Sequence, residues 1–145
     1  MSECSGGKSE IFSATEEPRD FYLKVSKPIE FEFDLSSDGE YSFSLEVTYD
    51  KLQLKGFRTL PMYYILVWPD KHETEKIFEI PIMDDKGWMG KPKDSSSNEI
   101  DYVVSKEFHS GVKLKEGHYK FRLFANPESQ KDIPGMVTLV FKVLK

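Results

Sequence analysis

The sequence has little of what several kinds of site require. One cysteine, Cys4, stands among 145 residues, which excludes an internal disulfide and a cysteine-rich zinc site. No apolar run approaches the roughly 18 residues that a membrane-spanning helix needs. Basic residues are also few, since 20 lysines and arginines accompany 25 acids to give a net charge of −5. Because a phosphate-binding surface requires an excess of positive charge, we predict that nucleic acid is not a partner.

The sequence patterns of common catalytic sites are absent too. There is no Gly-x-Ser-x-Gly elbow and no glycine-rich phosphate loop. Cys4 lies in a polar leader, away from any base that could activate it. A pair of carboxylates of the glycosidase kind stays open, although most acids alternate outward on the predicted strands. We predict a protein that is not an enzyme and that binds no cofactor.

Residues that could bind a metal are present, but not at recognised spacings. The three histidines are His72, His109 and His118. None forms a ligand pair at zinc spacing, so solvated surface histidines are favoured over a metal site. Asp84, Asp85 and Asp94 surround one loop and could bind calcium, but they lack the spacing of an EF-hand. A solvated acidic turn is the favoured interpretation, and we predict no metal site.

Alternation of apolar and polar residues is the strongest positive signal. Residues 29–35 have apolar side chains at odd positions and acidic ones between them, and residues 41–49 also alternate. A period of two puts all the apolar groups on one face, which predicts half-buried antiparallel strands. Because a Ser-Ser-Asp-Gly turn at 36–39 separates the two segments, we predict that they form a hairpin.

Six further segments predict strands, and together they define the fold class. Residues 62–68 form a continuous apolar run, which favours a central strand buried on both faces. Pro81 ends the strand predicted at 76–82 and assigns it to an edge or a bulge. The other candidates are residues 102–104, 106–108, 119–124 and 137–143. Since no helical periodicity extends beyond about a turn, we predict a single antiparallel β-sandwich, immunoglobulin-like or jelly-roll-like.

A change in composition divides the chain into two parts. Residues 1–18 are rich in Ser, Gly and Glu, which predicts a flexible tether. Residues 19–145 are predicted to form the sandwich. Its predicted inward residues are Ile29, Phe31, Phe33, Phe43, Leu45, Leu139 and Phe141. Within the tether, Cys4 is either the lipid-bearing first residue of a mature bacterial lipoprotein or an accidental surface thiol, and the residues alone leave both open.

One loop carries a residue that usually seeks burial. Trp88 lies among glycines and lysines just after a predicted strand. It either folds back as a plug over one end of the sandwich, which is the favoured interpretation, or anchors a partner. The candidate partner-binding residues of this loop are Asp84, Asp85, Lys86, Trp88 and Lys91.

Five short motifs follow one another along the chain. They are Cys4, Pro28-Ile29-x-Phe31-x-Phe33-Asp34, Asp85-Lys86-Gly87-Trp88-Met89-Gly90, Gly117-His118-Tyr119-Lys120-Phe121 and Ile133-Pro134-Gly135-Met136. In this order they resemble the gliding-motility lipoprotein GldH family of Bacteroidetes-type bacteria. Each motif is weak alone, and the specificity lies in their order over nearly the whole chain. Tyr49-Asp50 and Phe124-Ala125-Asn126-Pro127 depart from the family pattern, so the chain resembles a divergent member.

The resemblance implies a non-enzymatic lipoprotein that acts as a structural or scaffolding component in gliding motility or its associated secretion machinery. Cys4 would be the lipid attachment residue, and residues 5–18 a spacer. The implied partners are other cell-envelope proteins, with membrane contact through the lipid anchor only. The implied location is the cell envelope, facing the periplasm or at the outer membrane, and the chain without its lipid is expected to be soluble.

Aromatic content leaves a second function open. Aromatic residues make up 14% of the chain. Four of them are candidates for the binding face of a carbohydrate-binding sandwich module, namely Trp68, Trp88, Tyr63 and Tyr64. In this alternative the partner is a glycan.

Overall fold

The computed structural model describes residues 8–18, 20–93 and 100–145. Cys4 and Asp94 lie outside the described residues. The described residues are nearly all β and form eleven strands in chain order. They are β1 (Glu10–Glu16), β2 (Ile29–Leu35), β3 (Gly39–Asp50), β4 (Thr59–Val67), β5 (Glu73–Pro81), β6 (Met83–Asp84), β7 (Gly87–Trp88), β8 (Lys91–Pro92), β9 (Asp101–Leu114), β10 (Gly117–Ala125) and β11 (Met136–Leu144). Within the described residues, no helix is long and apolar enough to cross a membrane.

Two antiparallel sheets pack face to face as a sandwich, which confirms the predicted fold class. One sheet has five strands in the order β1-β11-β3-β9-β8, and the other has four in the order β2-β10-β4-β5. Strands β6 and β7 form a separate two-stranded hairpin. Strand β5 lies at an edge of its sheet, as Pro81 predicted, because proline cannot donate a hydrogen bond to a further strand.

An aromatic core fills the space between the two sheets. The Phe121 ring stacks on Phe141 of the opposite sheet with centroids 4.0 Å apart, and it stacks on Tyr64 at 4.8 Å. Alternation brings these side chains inward from β10, β11 and β4. The predicted inward residues are confirmed: six are buried, and Ile29 packs against the core while partly buried.

The hairpin predicted for β2 and β3 is wrong. Strand β2 pairs with β10, whereas β3 pairs with β11 and β9 in the other sheet. The turn at 36–38 therefore crosses from one sheet to the other, and Phe33 faces Phe43 across the core with ring centroids 6.3 Å apart. Alternation fixes which face of a strand is buried, but it does not say which strand is the neighbour.

The sandwich also includes residues that the sequence analysis assigned to the tether. Strand β1 lies within residues 1–18 and pairs antiparallel with β11 at the edge of the five-stranded sheet. Phe12 packs on Phe33 and Phe141, with ring centroids 5.6 and 6.2 Å apart. One aromatic among Ser, Thr and Glu is a weak pattern, so the contribution of β1 was not visible in the composition.

Two other strand predictions need correction. The segments predicted at 102–104 and 106–108 belong to one strand, β9, whose pairing with β3 is interrupted by bulges near Phe43. Strand β4 is central, but only one of its faces is fully buried. Tyr64 and Leu66 point into the core, whereas Tyr63 and Ile65 lie on the half-exposed outer face.

The two ends of the sandwich differ in what they carry. Lys8 and Lys145 lie at one end, where the backbones of Ser9 and Lys145 exchange hydrogen bonds of 2.9 and 2.8 Å. This end, the tether end, also has the short turns at 36–38, 68–72 and 115–116. The opposite end, the loop end, carries the longer segments, which are residues 20–24, 51–58, 82–93 and 126–135.

Candidate partner-binding end

The loop predicted to bind a partner lies at the loop end as a tight hairpin. Strands β6 and β7 pair through Met83 with Trp88 and Asp84 with Gly87. The Asp84 carboxylate accepts a 2.8 Å hydrogen bond from the backbone N–H of Lys86, which closes the turn. Asp84, Asp85 and Lys86 are exposed, so this part of the charged rim is available to solvent.

Trp88 packs against the core and covers the loop end, as the plug interpretation expects. It is half-buried, and its ring lies 6.0 Å from that of Tyr49. The Tyr49 hydroxyl donates a 2.6 Å hydrogen bond to the carbonyl of Met89, whose N–H donates to the Ile82 carbonyl at 2.8 Å. Burial raises the pKa of Tyr49 to about 12, so this hydroxyl keeps its proton at neutral pH. The hairpin is therefore fixed to the end of β3.

A glycine fixes the exit of the loop. Gly90 has φ of +91°, and a Cβ at this position would lie 2.2 Å from the carbonyl oxygen of Val103. Only glycine allows this approach, after which Lys91 pairs with Val103 as strand β8. Lys91 is exposed. The structure thus brings the predicted loop residues to one end, with four charged side chains outward and Trp88 turned toward the core.

A group of exposed apolar side chains, not predicted from the sequence, lies at the same end. Six large hydrophobic side chains are exposed among the described residues, and four of them lie here. They are Phe21 at 55% exposure, Tyr22 at 43%, Leu52 at 53% and Ile100 at 39%. We call these four the apolar cluster. They lie outside the strands, and apolar residues in connecting segments were the signal that could have identified them.

Backbone hydrogen bonds link the segments that carry the apolar cluster. Met136 donates to the carbonyl of Phe21 at 2.9 Å, and Asp50 donates to that of Gly135 at 2.9 Å. Lys51, beside Leu52, donates to the carbonyl of Ile100 at 3.1 Å. These segments are far apart in the chain, so the cluster exists only in the folded protein.

Two of the three histidines contact aromatic side chains of the protein itself. His72 stacks on Trp68 at the tether end, with ring centroids 4.7 Å apart. His109 lies at the rim of the core, where its Nδ1 is 2.6 Å from the Tyr64 hydroxyl, and burial lowers its pKa. Within the part of the chain that the structure describes, no group of three or more His, Cys, Asp or Glu is arranged to hold a metal ion.

The third histidine belongs to a row of charge pairs between β2 and β10. Nδ1 and Nε2 of His118 lie 2.8 Å from the carboxylates of Asp34 and Glu32, and these hydrogen bonds raise its pKa. Farther along the same two strands, Arg122 donates to Glu30 at 2.8 Å. The acids that alternate along β2 are therefore hydrogen-bonded to basic side chains of the neighbouring strand.

The four aromatic residues of the carbohydrate-binding alternative do not come together. Trp68 lies at the tether end and Trp88 at the loop end. Tyr64 is buried in the core, and Tyr63 lies on the opposite face of the same strand, hydrogen-bonded to Glu75. These four side chains form no common face on which a sugar could stack.

Comparisons with known proteins assign no family. No family model matches the chain, and no curated protein matches it. Among solved structures, the chain is similar to part of the crystal structure of a serine protease of Aeromonas sobria, with 11% identity and a TM-score of 0.37. That similarity covers 94% of this chain and 27% of the protease chain, so the chain spans about a quarter of the length of that protein.

Proposed function

We propose that the protein is a non-enzymatic lipoprotein of the cell envelope that acts as a scaffolding component, similar to the GldH family and serving gliding motility or its associated secretion machinery. Cys4 carries the lipid, and the loop end binds another envelope protein. The support from sequence is the order of the motifs from Cys4 to Ile133-Pro134-Gly135-Met136.

The positions of the two ends support this arrangement. Lys8 lies at the tether end, and the four Cα–Cα steps from Cys4 to Lys8 can span at most about 14 Å. A lipid on Cys4 would therefore hold the tether end near the membrane. Since a nine-residue strand such as β11 is about 30 Å long, the loop end would face away from the membrane and toward a partner.

The apolar cluster is the observation that carries the proposed binding role. Four of the six exposed large hydrophobic side chains among the described residues lie at the loop end. Scattered exposed hydrophobic residues are normal, whereas a concentration of them with a polar rim is typical of a protein-binding surface. Asp84, Asp85, Lys86 and Lys91 are exposed charged residues at the same end.

The lipid anchor can be tested on the full-length protein in its native host. We expect the protein in the membrane fraction, with mass spectrometry showing a multiply acylated Cys4, because one acyl chain gives only marginal membrane binding. A Cys4→Ser variant should leave the membrane fraction while its melting temperature stays unchanged. An unmodified Cys4 in membrane-bound protein would contradict the proposal, and so would a protein that is absent from the membrane fraction.

A further inference from the structure

A cleft of about 480 Å³ opens at the loop end beside the apolar cluster. Its walls come from the segment before β2, the end of β3, the start of β9 and the turn before β11. Gly135, at φ of +71°, allows that turn to lie close against β3. A side chain at this position would not fit, because its Cβ would lie 3.0 Å from the Asp50 carbonyl oxygen. The backbone hydrogen bonds to Phe21 and Gly135 hold the walls together, so the cleft is formed before any ligand binds.

The charged residues of the cleft, among those that the structure describes, are all acidic. Asp20, Asp50 and Asp101 line it, and no lysine or arginine does among the lining residues that the structure describes. Asp20 is paired with Lys24 at 2.9 Å. By contrast, neither Asp50 nor Asp101 has a lysine, arginine or histidine nitrogen within 4.0 Å among the described residues. Lys51, the neighbour of Asp50, is directed over the Tyr102 ring at 4.4 Å.

Two exposed aromatic side chains complete the lining. Phe21 and Tyr22 belong both to the cleft and to the apolar cluster. An aromatic ring attracts a cation through the negative charge of its faces, and a carboxylate attracts it more strongly through a charge-assisted hydrogen bond. Carboxylates and aromatic rings in one cleft together suit an organic cation with apolar surroundings.

We propose that this cleft binds a lysine or arginine side chain of a protein partner, with the apolar cluster accommodating an apolar residue next to it. The proposal rests on the proposed function in one respect, namely that the loop end binds a protein. An anionic lipid surface would be repelled by the three carboxylates, and a neutral sugar would leave their charge without a counterpart. The net charge of −5 on the chain also favours the approach of a basic partner.

The test uses a displayed library of random twelve-residue peptides, selected on the folded protein. The Asp50→Asn/Asp101→Asn double variant removes two negative charges but retains the oxygen that accepts from the Leu52 N–H at 2.9 Å. Glu40→Gln, which removes an exposed charge at the tether end, is the matched control. Melting temperatures establish that both variants remain folded.

We expect the enriched peptides to share a lysine or arginine next to an apolar residue. Their affinity should fall about tenfold or more in the double variant, the usual effect of losing hydrogen bonds between charged groups. Affinity should also fall with added salt, and it should be unchanged in Glu40→Gln.

Three outcomes would overturn the cleft proposal: no enrichment of basic residues, no enriched peptide at all, or full affinity in the double variant. Neutral peptides that bind through Leu52 would remove the cleft proposal while leaving a protein-binding loop end. An unmodified Cys4 would instead remove the lipoprotein and leave the peptide result intact, so the two failures are distinguishable.

Discussion

At the scale of single residues, two glycines of the β6–β8 segment differ in a way that mutagenesis can separate. Gly87 and Gly90 both have positive φ, at +115° and +91°. A Cβ on Gly87 would meet nothing within 4 Å, whereas one on Gly90 would lie 2.2 Å from the Val103 carbonyl oxygen. Gly87 is therefore favoured only by its positive φ, whereas Gly90 is favoured both by its positive φ and by the lack of room for a side chain.

Alanine substitutions should reproduce that difference. Gly87→Ala is expected to lower the free energy of unfolding by about 1–2 kcal/mol, the cost of the left-handed conformation for a side chain. Gly90→Ala should cost clearly more, because the backbone of β9 must also move. Urea denaturation of both variants measures the two losses. Equal losses would mean that the close approach of Gly90 to Val103 contributes nothing.

Trp88 and Leu52 offer a second contrast at this scale. Trp88 is half-buried against Tyr49, so Trp88→Ala should cost about 2 kcal/mol, less than the 3–5 kcal/mol expected for a fully buried aromatic. Leu52 is exposed, and Leu52→Ala should change stability by no more than about 0.5 kcal/mol. Thermal denaturation checks both. A Trp88→Ala variant with wild-type stability and lost partner binding would reverse the role given to Trp88.

The two tryptophans show how far single residues were predictable. The plug interpretation of Trp88 followed from glycines and lysines that could not bury it locally, and the ring does pack on Tyr49. Trp68, a candidate for glycan binding, instead stacks on His72 at the tether end. The clustering of Phe21 with Leu52 and Ile100 was not predictable, because long-range hydrogen bonds assemble it from three separate segments.

At the scale of strands, β1 has one large inward side chain, Phe12, besides the small Ala14. Phe12 packs on Phe33 and Phe141, whereas its neighbour Ile11 is exposed. Phe12→Ala should therefore lower the free energy of unfolding by about 2 kcal/mol, and Ile11→Ala by no more than about 0.5 kcal/mol. Chemical denaturation compares the pair. If Phe12→Ala were as mild as Ile11→Ala, β1 would not be an integral strand of the sandwich.

The pairing of β2 with β10 should make stability depend on pH. Hydrogen bonds to Asp34 and Glu32 raise the pKa of His118 above its ordinary value in the folded state. The contribution of these hydrogen bonds to the free energy of unfolding is therefore fully present below pH about 6.5. It is lost as the pH rises through the raised pKa of His118 in the folded state. His118→Gln should abolish this loss, which denaturation at a series of pH values measures.

His109 provides the control of opposite sign for that prediction. Burial lowers the pKa of His109 in the folded state. The contribution of neutral His109 to the free energy of unfolding is therefore present above pH about 6.5 and is lost as the pH falls through the lowered pKa. His109→Gln should change the slope of stability against pH in the direction opposite to His118→Gln. An unchanged slope in His118→Gln would show that the charge pairs on this face do not stabilise the fold.

Strand existence was easier to predict than strand pairing, for a physical reason. The alternation in residues 29–35 and 41–49 reflects local burial, and both segments are strands. Their pairing depends on β10, β11 and β9, which lie far along the chain, so a polar turn between them did not distinguish a hairpin from a crossing between sheets.

At the scale of the whole molecule, the sandwich places two different sets of residues at its opposite ends. Ser9 and Lys145 are hydrogen-bonded to each other at the tether end, while the loop end carries the apolar cluster, the acidic cleft and the charged loop. The strands supply a rigid body between the two ends. The sequence could predict this body and the loop around Trp88, but not that the loop, the cluster and the cleft share one end, because that depends on the topology.

Photo-crosslinking in the native envelope tests the central claim, that the loop end is the partner-binding surface, most directly. A photoreactive phenylalanine analogue replaces Leu52 at the loop end or, as the control, exposed Lys115 at the tether end. We predict a discrete crosslinked protein from position 52, none from position 115, and loss of the product when Asp50→Asn and Asp101→Asn are added. A product from position 115 alone, or none from position 52, would contradict the account.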